Sequence, residues 1–525
     1  MKNNYKILTD NNSRNVSIIF KSLLVGVAAG SVAVLYRLML TYAEAFAFWM
    51  YGLLRSNLIF LPLLLISLCM MGYFVGFLIS KDKMISGSGI PQLEGILKGH
   101  FRKRQHWLHT LCLKFVGGTI AIAGGLSLGR EGPSIQIGAC VAEGIGNKIG
   151  TSRLERKILM ASGASAGLAA AFNAPLAGVI FALEEIFKYF SPVILLSIMS
   201  SAVAADFVSK QVFGMAPVFN FHVTEAIPLN SYWLLIILGI FLGGMGAFYN
   251  YALLKTQKLY GKIKFLNART KVIVPFVLAG LLGLTFPIVL GGGHRIIEEL
   301  TPENGVWFLI IIFLIKFIFS IVSFSSGTPG GIFFPLLVLG AAIGAIFAEI
   351  SIRFLGFDQQ LFYNFVILAM AGYFTAIVRA PITGIVLIME MTGSFTHMLS
   401  LTVVAITAYV VADFLKSPPV YDALLDNLLA KEHLGEEEES SKKTTVEVIV
   451  QHGSHFENLQ VKMIKWPQKC LLVGVKRGEK EIIPKGDTQL KVGDYLVILT
   501  DINSESKTRE IIKEMNEMNE MNIQL

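Results

Sequence analysis

The chain has 525 residues, of which 54% are apolar and only 16% are charged. This composition excludes an ordinary water-soluble protein, and apolar blocks long enough to cross a bilayer recur from about Val16 to Leu415. The formal net charge is +8, but much of the basic excess lies in short loops beside apolar blocks, where it signals topology. We therefore predict a polytopic membrane protein that has no nucleic-acid partner.

The start of the chain is polar from Met1 to Arg14, and no short apolar core with a cleavage site follows it. We expect no signal peptide and a cytoplasmic N-terminal segment of residues 1–15. The cysteines lack the spacing of metal ligands, so no metal site is predicted. The titratable residues in the spans form no recognisable nucleophile and base pair, and an enzyme is not expected.

The first unusual segment follows two long apolar stretches, Val16–Leu40 and Leu58–Ile79. It is Gly87-Ser88-Gly89-Ile90-Pro91, and it heads a stretch, Gln92–Lys98, that is too short to cross a bilayer. The pattern predicts a half-helix that begins inside the membrane.

Two basic clusters, His100–His109 and Lys148–Lys157, flank the next apolar region. Both are expected in the cytoplasm. The chain between them has room to go out and return at about 20 residues per crossing, which places Glu131 towards the outer face. Two further crossings bring Glu184 and Glu185 back to the cytoplasmic side.

Glu131 is the least expected charge in the chain, because it stands between glycines in Gly129-Arg130-Glu131-Gly132-Pro133, inside an apolar region. An ionisable residue in a membrane span indicates a functional site by default. Glycine and proline in a first helical turn leave backbone N–H groups free to face an anion. Glu131 is therefore the primary candidate functional residue.

An internal repeat relates Ala174–Glu184 to Ala380–Glu390 in spacing and mostly in residue type. Such repeats are typical of secondary transporters with interrupted helices. Spacing alone leaves open whether the halves are inverted or parallel. Glu184 has a counterpart in Glu390, which favours a structural role at a helix end. Glu185 has no such counterpart, because Met391 stands at the equivalent position of the other half, so Glu185 is the better functional candidate.

Three glycine-rich helix starts, Gly87–Pro91, Gly129–Pro133 and Gly330–Pro335, form the wider constellation. Partial positive charges and free N–H groups at helix starts bind an anion without trapping it. Each motif alone also fits close helix packing. Their joint occurrence favours an anion pathway. A second, weaker repeat pairs Gly132–Ile135 with Pro329–Ile332.

These motifs resemble the CLC family of chloride channels and chloride/proton antiporters. The resemblance includes the Tyr421 that follows Pro418-Pro419-Val420 and covers residues 16–426 in the family's order. It implies an all-α membrane domain of the CLC fold, with two inverted repeats of broken helices. It also implies a homodimer with one ion pathway in each subunit and cytoplasmic N- and C-termini.

The resemblance also implies roles for six residues. Chloride would be held by the hydroxyl groups of Ser88 and Tyr421 and by the backbone amides of Ile332 and Phe333. Glu131 would be the external gating glutamate, and Glu185 the internal proton-transfer glutamate.

The expected function is proton-coupled chloride antiport, since family members that act as plain channels usually carry a non-titratable residue at the position of Glu185. A voltage- or pH-gated chloride channel is the alternative. The intact Gly87–Pro91 motif argues against the fluoride-exporting branch. A subunit of a potassium transport system is a distant alternative that the tail alone suggests.

The tail follows a solvated linker at residues 427–444, which contains the acidic run Glu436–Glu439. A small α/β cytoplasmic domain is predicted at residues 445–525. Three strands and a polar terminal helix are expected there: Thr445–Val450, Cys470–Val475, Tyr495–Thr500 and Ser506–Asn522.

The motifs of the tail, among them Ile483-Pro484-Lys485-Gly486-Asp487 and Gly493–Thr500, resemble the RCK C-terminal domain of bacterial ion transporters over about 445–503. The resemblance implies dimerisation and a regulatory ligand such as cyclic di-AMP or an ion. A dimerisation module without a ligand is the alternative. No other cofactor is expected.

Overall fold

A computed structural model describes residues 2–101, 105–188, 190–219, 221, 227–263, 267, 269–433, 443–451, 453–467, 470–478, 480–501, 508, 511, 512 and 515. The chain divides into two compact units, Met1–Ala430 and Lys431–Leu525. Residues 102–104 of the first predicted basic cluster and residues 434–442 of the predicted linker lie outside the described part.

The first unit is a helical bundle. Its helices, within the described residues, are α1 Lys2–Ser56, α2 Leu61–Lys81, α3 Ile90–Lys98, α4 Trp107–Ala123, α5 Glu131–Ile149, α6 Arg153–Phe172, α7 Pro175–Phe181, α8 Pro192–Phe213, α9 Tyr232–Lys262, α10 Ile273–Thr285, α11 His294–Glu298, α12 Val306–Ser325, α13 Phe333–Leu355, α14 Phe362–Val378, α15 Pro381–Thr392, α16 Met398–Phe414 and α17 Val420–His433. A π-helical segment, Ala182–Phe187, follows α7.

Seven of the helices in the described residues are long and apolar enough to cross a membrane: α1, α2, α8, α9, α12, α13 and α14. Shorter apolar helices, α4, α10, α15 and α16, complete the bundle. Most residues of α13 and nearly all residues of α14 are buried, so these helices form the centre of the unit. The prediction of a multi-pass membrane protein is confirmed.

Some helix bounds differ from the sequence prediction. Helix α1 runs through residue 15, where the sequence analysis separated a polar segment from the first span. Helix α17 extends past residue 426 to His433. The predicted half-helix is confirmed as α3, which begins after Gly89 in a left-handed conformation (φ 92°).

The inverted halves are recognisable in backbone detail. Helices α5 and α13 begin side by side, because Gly129 and Gly331 exchange two backbone hydrogen bonds of 2.7 and 2.8 Å. Their N-cap residues have nearly the same conformation, φ −88°, ψ −17° at Arg130 and φ −92°, ψ −15° at Ile332. The structure therefore pairs Pro133 with Pro335. The second repeat that the sequence suggested, between residues 132–135 and 329–332, is wrong in register.

Two buried lysines repeat the same contact in both halves. Lys114 on α4 donates to the carbonyl oxygens of Ile85 and Gly87 at 2.9 and 2.6 Å. Lys316 on α12 donates to those of Val289 and Gly291 at 2.9 and 2.8 Å. Each lysine thus fixes the loop that precedes a short helix, α3 in the first half and α11 in the second.

The second unit contains a four-stranded antiparallel sheet in the order β1-β4-β2-β3. The strands are β1 Lys443–Ile449, β2 Cys470–Arg477, β3 Lys480–Ile482 and β4 Tyr495–Asp501. Thr445 pairs with Leu499 between β1 and β4, and a bulge between Leu472 and Gly474 shifts the register of β2.

The three predicted strands are confirmed, and the short β3 was missed. Most of the predicted terminal helix, 506–522, lies outside the described residues. The unit has its own apolar core, which includes Val446, Phe456, Val475 and Ile498.

Candidate functional site

The three glycine-rich segments meet at the centre of the bundle. In addition to the exchange between Gly129 and Gly331, the Gly87 N–H donates to the Gly327 carbonyl at 3.2 Å, and the Gly330 N–H donates to the Gly87 carbonyl at 3.0 Å. Main-chain hydrogen bonds therefore hold the starts of α3, α5 and α13 together. The predicted constellation is a single site in the fold.

Ser88 lies in a rigid turn of this centre. The glycines on either side of it have positive φ values, 66° at Gly87 and 92° at Gly89, which other residues adopt only with strain. The Ser88 side chain is buried, and its Oγ accepts a hydrogen bond from the Ile90 N–H at 3.3 Å. Because a hydroxyl group also carries a proton, Ser88 remains able to donate one hydrogen bond.

Tyr421 follows the N-terminus of α17 and is also fully buried. Its ring packs edge-on against Phe181 with 6.3 Å between the ring centroids. Its hydroxyl group has no hydrogen-bond partner among the described residues. A buried hydroxyl group without a partner is costly unless a ligand pairs with it, so Tyr421 is available to an anion.

The backbone at Ile332 and Phe333 supplies donors of another kind. In α13 the Leu336 N–H bonds to the Ile332 carbonyl at 3.0 Å, and the N–H groups that precede it in the first turn have no carbonyl in their own helix to bind. Pro335, in the same turn, has no N–H at all. The partial positive charge of the helix start reinforces these donors.

Glu131 is the first residue of α5 and is fully buried. Its Oε1 is 3.9 Å from the Arg130 Nε. The N–H of Phe334 points towards the carboxylate without reaching hydrogen-bond geometry. Gly129 has no side chain, and a Cβ atom there would overlap the Glu131 carboxylate. The carboxylate therefore lies against the start of α13, where the helix end attracts negative charge.

Glu184 and Glu390 each cap the start of a helix in the other half of the repeat. Glu184 accepts hydrogen bonds from the N–H of Thr383 at 2.8 Å and from its hydroxyl group at 2.7 Å, at the start of α15. Glu390 accepts from the N–H groups of Leu176 and Ala177 at 3.0 and 2.7 Å, at the start of α7. The structural interpretation of Glu184 is confirmed.

Glu185 is buried in the π-helical segment, and its Oε1 has no hydrogen-bond partner among the described residues. π-helical segments are frequent at functional sites because the extra residue re-aims a side chain. Glu185 lies directly after α7 and Glu131 at the start of α5, and the buried Tyr421 ring packs against Phe181 at the end of α7.

A cluster of charges that the sequence analysis did not identify surrounds Glu185. Lys188 Nζ lies 2.7 Å from Asp422 Oδ1 and 3.2 Å from Glu94 Oε1, and Lys98 Nζ lies 2.7 Å from the same Glu94 oxygen. Lys188 has a left-handed backbone (φ 52°) that ends the π-helical segment. Three segments that are distant in sequence contribute to the cluster. The charged Glu94, shortly after the Gly87–Pro91 motif, is the sequence feature that could have revealed it.

No group of three or more metal-ligating side chains occurs within the described ranges. The site offers hydrogen-bond donors that can bind an anion and carboxylates that can carry a proton. Broken helices whose starts converge on a buried carboxylate define a membrane protein built to move an anion across the bilayer. A family model described as "Voltage gated chloride channel" matches residues 71–413, and the chain belongs to this CLC family. A second model, the TrkA-C domain, matches residues 445–513.

Curated relatives cover most of the chain. The H(+)/Cl(-) exchange transporter ClcA of Klebsiella pneumoniae subsp. pneumoniae is 32% identical over 438 residues, which are 79% of this chain and 90% of that protein. The transporter of the same name from Salmonella typhimurium is 32% identical over 439 residues, with the same coverage.

Solved structures share the fold. A slow cyanobacterial Cl-/H+ antiporter is 29% identical with a TM-score of 0.74, and the match covers 79% of this chain and 99% of that one. A CLC-type fluoride/proton antiporter is 23% identical with a TM-score of 0.64, and the match covers 78% and 97% of the two chains. The predicted CLC fold is confirmed. Members of the family are transporters, so the expectation that the chain is not an enzyme is confirmed as well.

Proposed function

We propose that the protein exchanges chloride for protons across the cell membrane, with Glu131 as both gate and proton carrier. The observation that carries the proposal is the position of the Glu131 carboxylate, which is fully buried against the start of α13 and has no hydrogen-bond partner among the described residues. A potassium-transport subunit is set aside, because the membrane unit belongs to the CLC family.

Chloride binds between the hydroxyl groups of Ser88 and Tyr421 and the backbone N–H groups of Ile332 and Phe333. Neutral donors and helix ends hold the ion without a full positive charge in direct contact, so the ion can leave again. The two buried lysines, Lys114 and Lys316, act at a distance by holding the loops through their carbonyl oxygens.

Glu131 couples the two ions through competition. When it is deprotonated, its carboxylate is an anion and occupies the helix-end site itself. When it is protonated, it loses this attraction, and chloride takes its place. Each change of occupancy therefore requires one proton to arrive at or leave the same side chain.

Glu185 transfers protons on the cytoplasmic side, and its presence favours exchange over a channel. The surrounding cluster of Lys188, Asp422 and Glu94 supports this role, since Asp422 is partly exposed while Glu185 is buried. In this orientation Glu131 faces the outer side, and both termini lie in the cytoplasm. The protein works as a homodimer with one pathway in each subunit.

The test is chloride and proton flux of the purified protein in liposomes. A chloride gradient is expected to drive protons uphill in the wild type. Glu131→Gln should keep chloride flux and lose proton coupling. Glu349→Gln is the matched control, because this buried acid on α13 is paired with Arg353 at 2.8 Å, away from the site. Proton pumping by Glu131→Gln would refute the assignment, and a reversal potential that ignores pH would indicate a channel.

A second variant separates the two adjacent glutamates. Glu185→Gln should fold as the wild type does and lose proton transport, because the side chain keeps its shape but carries no proton. Glu184→Gln should instead destabilise the fold, because it weakens the cap on α15. Thermal unfolding in detergent and proton flux, measured on both variants, check this difference. Equal behaviour of the two variants would contradict the assigned roles.

The tail regulates transport through a small ligand, for which cyclic di-AMP is the first candidate. The support is the TrkA-C match at residues 445–513 and the separate core of this unit. Calorimetric titration of the full-length protein with cyclic di-AMP should release heat, and deletion of the tail should remove it. Absence of heat from the intact protein would leave dimerisation as the role of the tail.

A further inference from the structure

A cavity joins Glu131 to a second carboxylate, that of Glu44 on α1. The side chains that define it are Thr41, Glu44, Arg130, Glu131, His294 and Phe334. The cavity offers about 20 Å³ to the centres of water molecules, which is enough for one molecule. Thr41 at its rim is exposed and Glu44 is half-buried, whereas Glu131 is fully buried. The cavity therefore leads from the surface of the unit to Glu131.

Glu44 lies within the span Val16–Arg55, where a carboxylate needs a functional or structural reason. One carboxylate oxygen lies at the position that a side chain of Gly291 would fill, and the Gly292 N–H points to the carboxylate. Arg130 lines the same cavity as both carboxylates, and its Nε lies 3.9 Å from Glu131 Oε1. Glu44 is thus held at a fixed place. Within the cavity lining, Arg130 is the cation that Glu44 and Glu131 share.

Glu44 lies against the loop of the second half that corresponds to the Ser88 loop of the first half. The loop before α11 has the conformation of the loop before α3, with φ 61° at Gly291 and 104° at Gly293, and it carries the equivalent lysine contact. In the first half the serine of this loop faces the anion site. In the second half Gly292 stands at the corresponding place, and the Glu44 carboxylate lies where a side chain of the preceding residue, Gly291, would be.

We propose that Glu44 is the outer proton-transfer residue, which passes protons between the external solution and Glu131. This role rests on the proposed proton-coupled exchange. One proton moves from solvent to the Glu44 carboxylate, and then through a water molecule in the cavity to the Glu131 carboxylate. No other bond changes.

The other charged and titratable groups near Glu44 are Arg130 at the start of α5, His294 and Arg295 on α11, and Lys316 on α12. The His294 ring stacks on Phe334 with 3.9 Å between centroids, and Arg295 lies 3.6 Å over the Phe48 ring. Apart from Glu131, Glu44 is the carboxylate that lines this cavity.

The experiment compares Glu44→Gln with the wild type in liposomes. Glutamine keeps an oxygen that faces the Gly292 N–H but carries no proton. Coupled exchange should slow at least about tenfold, because a positioned proton-transfer group has been removed. The residual rate should fall about tenfold for each pH unit of increase, since protons then reach Glu131 only from bulk water. Glu44→Asp should restore part of the rate, and Glu349→Gln is again the control.

A double-mutant cycle separates proton transfer from a structural role. In the Glu131→Gln background chloride flux no longer needs a proton, so the tenfold effect of Glu44→Gln should disappear. An equal loss of chloride flux in that background would overturn the proposal, as would a wild-type rate and pH profile for Glu44→Gln alone. If the wild type itself moves no protons, the exchange function fails instead, and the two failures are distinguishable.

Discussion

Substitution of Gly163 by alanine tests whether backbone contact between α5 and α6 positions the site. Gly163 is a helical residue of α6, so alanine meets no backbone strain there. An added Cβ would lie 2.6 Å from the Ala142 Cβ and 2.9 Å from the Gly138 carbonyl carbon. Ordinary contacts begin near 3.5 Å, so the helices must separate by roughly 1 Å.

The magnitude follows from two opposing terms. Alanine gains about 0.5–1 kcal/mol over glycine in a helix, and overpacking costs about 1–3 kcal/mol. The clash should win, because a backbone group cannot move aside as a flexible side chain can. A shift of about 1 Å in α5, which carries Glu131, can also cost up to about 10²-fold in rate.

The assays are thermal unfolding in detergent and coupled flux in liposomes. Gly244→Ala on α9 is the matched control, since a Cβ there has no heavy atom within 4 Å. We expect Gly163→Ala to melt below the wild type and to transport slowly, and Gly244→Ala to melt at or above it. Wild-type stability and rate in Gly163→Ala would refute the packing argument.

Two further predictions concern charges. Lys188→Met removes the cation that lies 2.7 Å from Asp422 and 3.2 Å from Glu94. Because burial alone would raise the pKa of Asp422 and Lys188 lowers it, this carboxylate should then bind its proton more tightly, and the pH profile of exchange in liposomes should move to higher pH. An unchanged profile would argue against a role in proton transfer. In the tail, burial alone would raise the pKa of Asp494, but its hydrogen bonds from Arg477, both 2.7 Å, outweigh burial and lower this pKa. A lowered pKa stabilises the folded state above the unfolded value of about 3.9, and this stability is lost as the pH falls through the folded value. Cleavage of the tail by an acid-active protease should therefore accelerate below about pH 4, and Asp494→Asn should be cleaved already at neutral pH by trypsin; a resistant variant would contradict this.

Local sequence patterns were sufficient for the elements of the site. Glycine and proline at helix starts predicted α3 and the starts of α5 and α13, because each residue acts on its own backbone. The repeat of Ala174–Glu184 in Ala380–Glu390 predicted that Glu184 is a structural acid. The reciprocal caps on α7 and α15 give the reason, since each half supplies the carboxylate that the other half needs.

Partners that are distant in sequence were not predictable. Glu44 and His294 are separated by most of the membrane unit, and only the folded chain places both in one cavity. Lys188 gains its meaning from Glu94 and Asp422, which lie on other elements. The π-helical segment before Lys188 was equally hidden, because Ala182–Phe187 contains no glycine or proline that would mark a change of helix type.

The candidate functional residues Glu131 and Glu185 are those that break the repeat, and the fold suggests a reason. Helices α5 and α13 begin in nearly identical conformations and share two backbone hydrogen bonds. A symmetric pair of helix starts would offer donors from both sides and would hold an anion at rest. Glu131 stands where the other half has Phe333. In the proposed exchange, one start supplies the donors and the other supplies a carboxylate that competes for them. Because a proton neutralises that competitor, the asymmetry in the proposed exchange would convert a static anion site into one whose occupancy follows protonation.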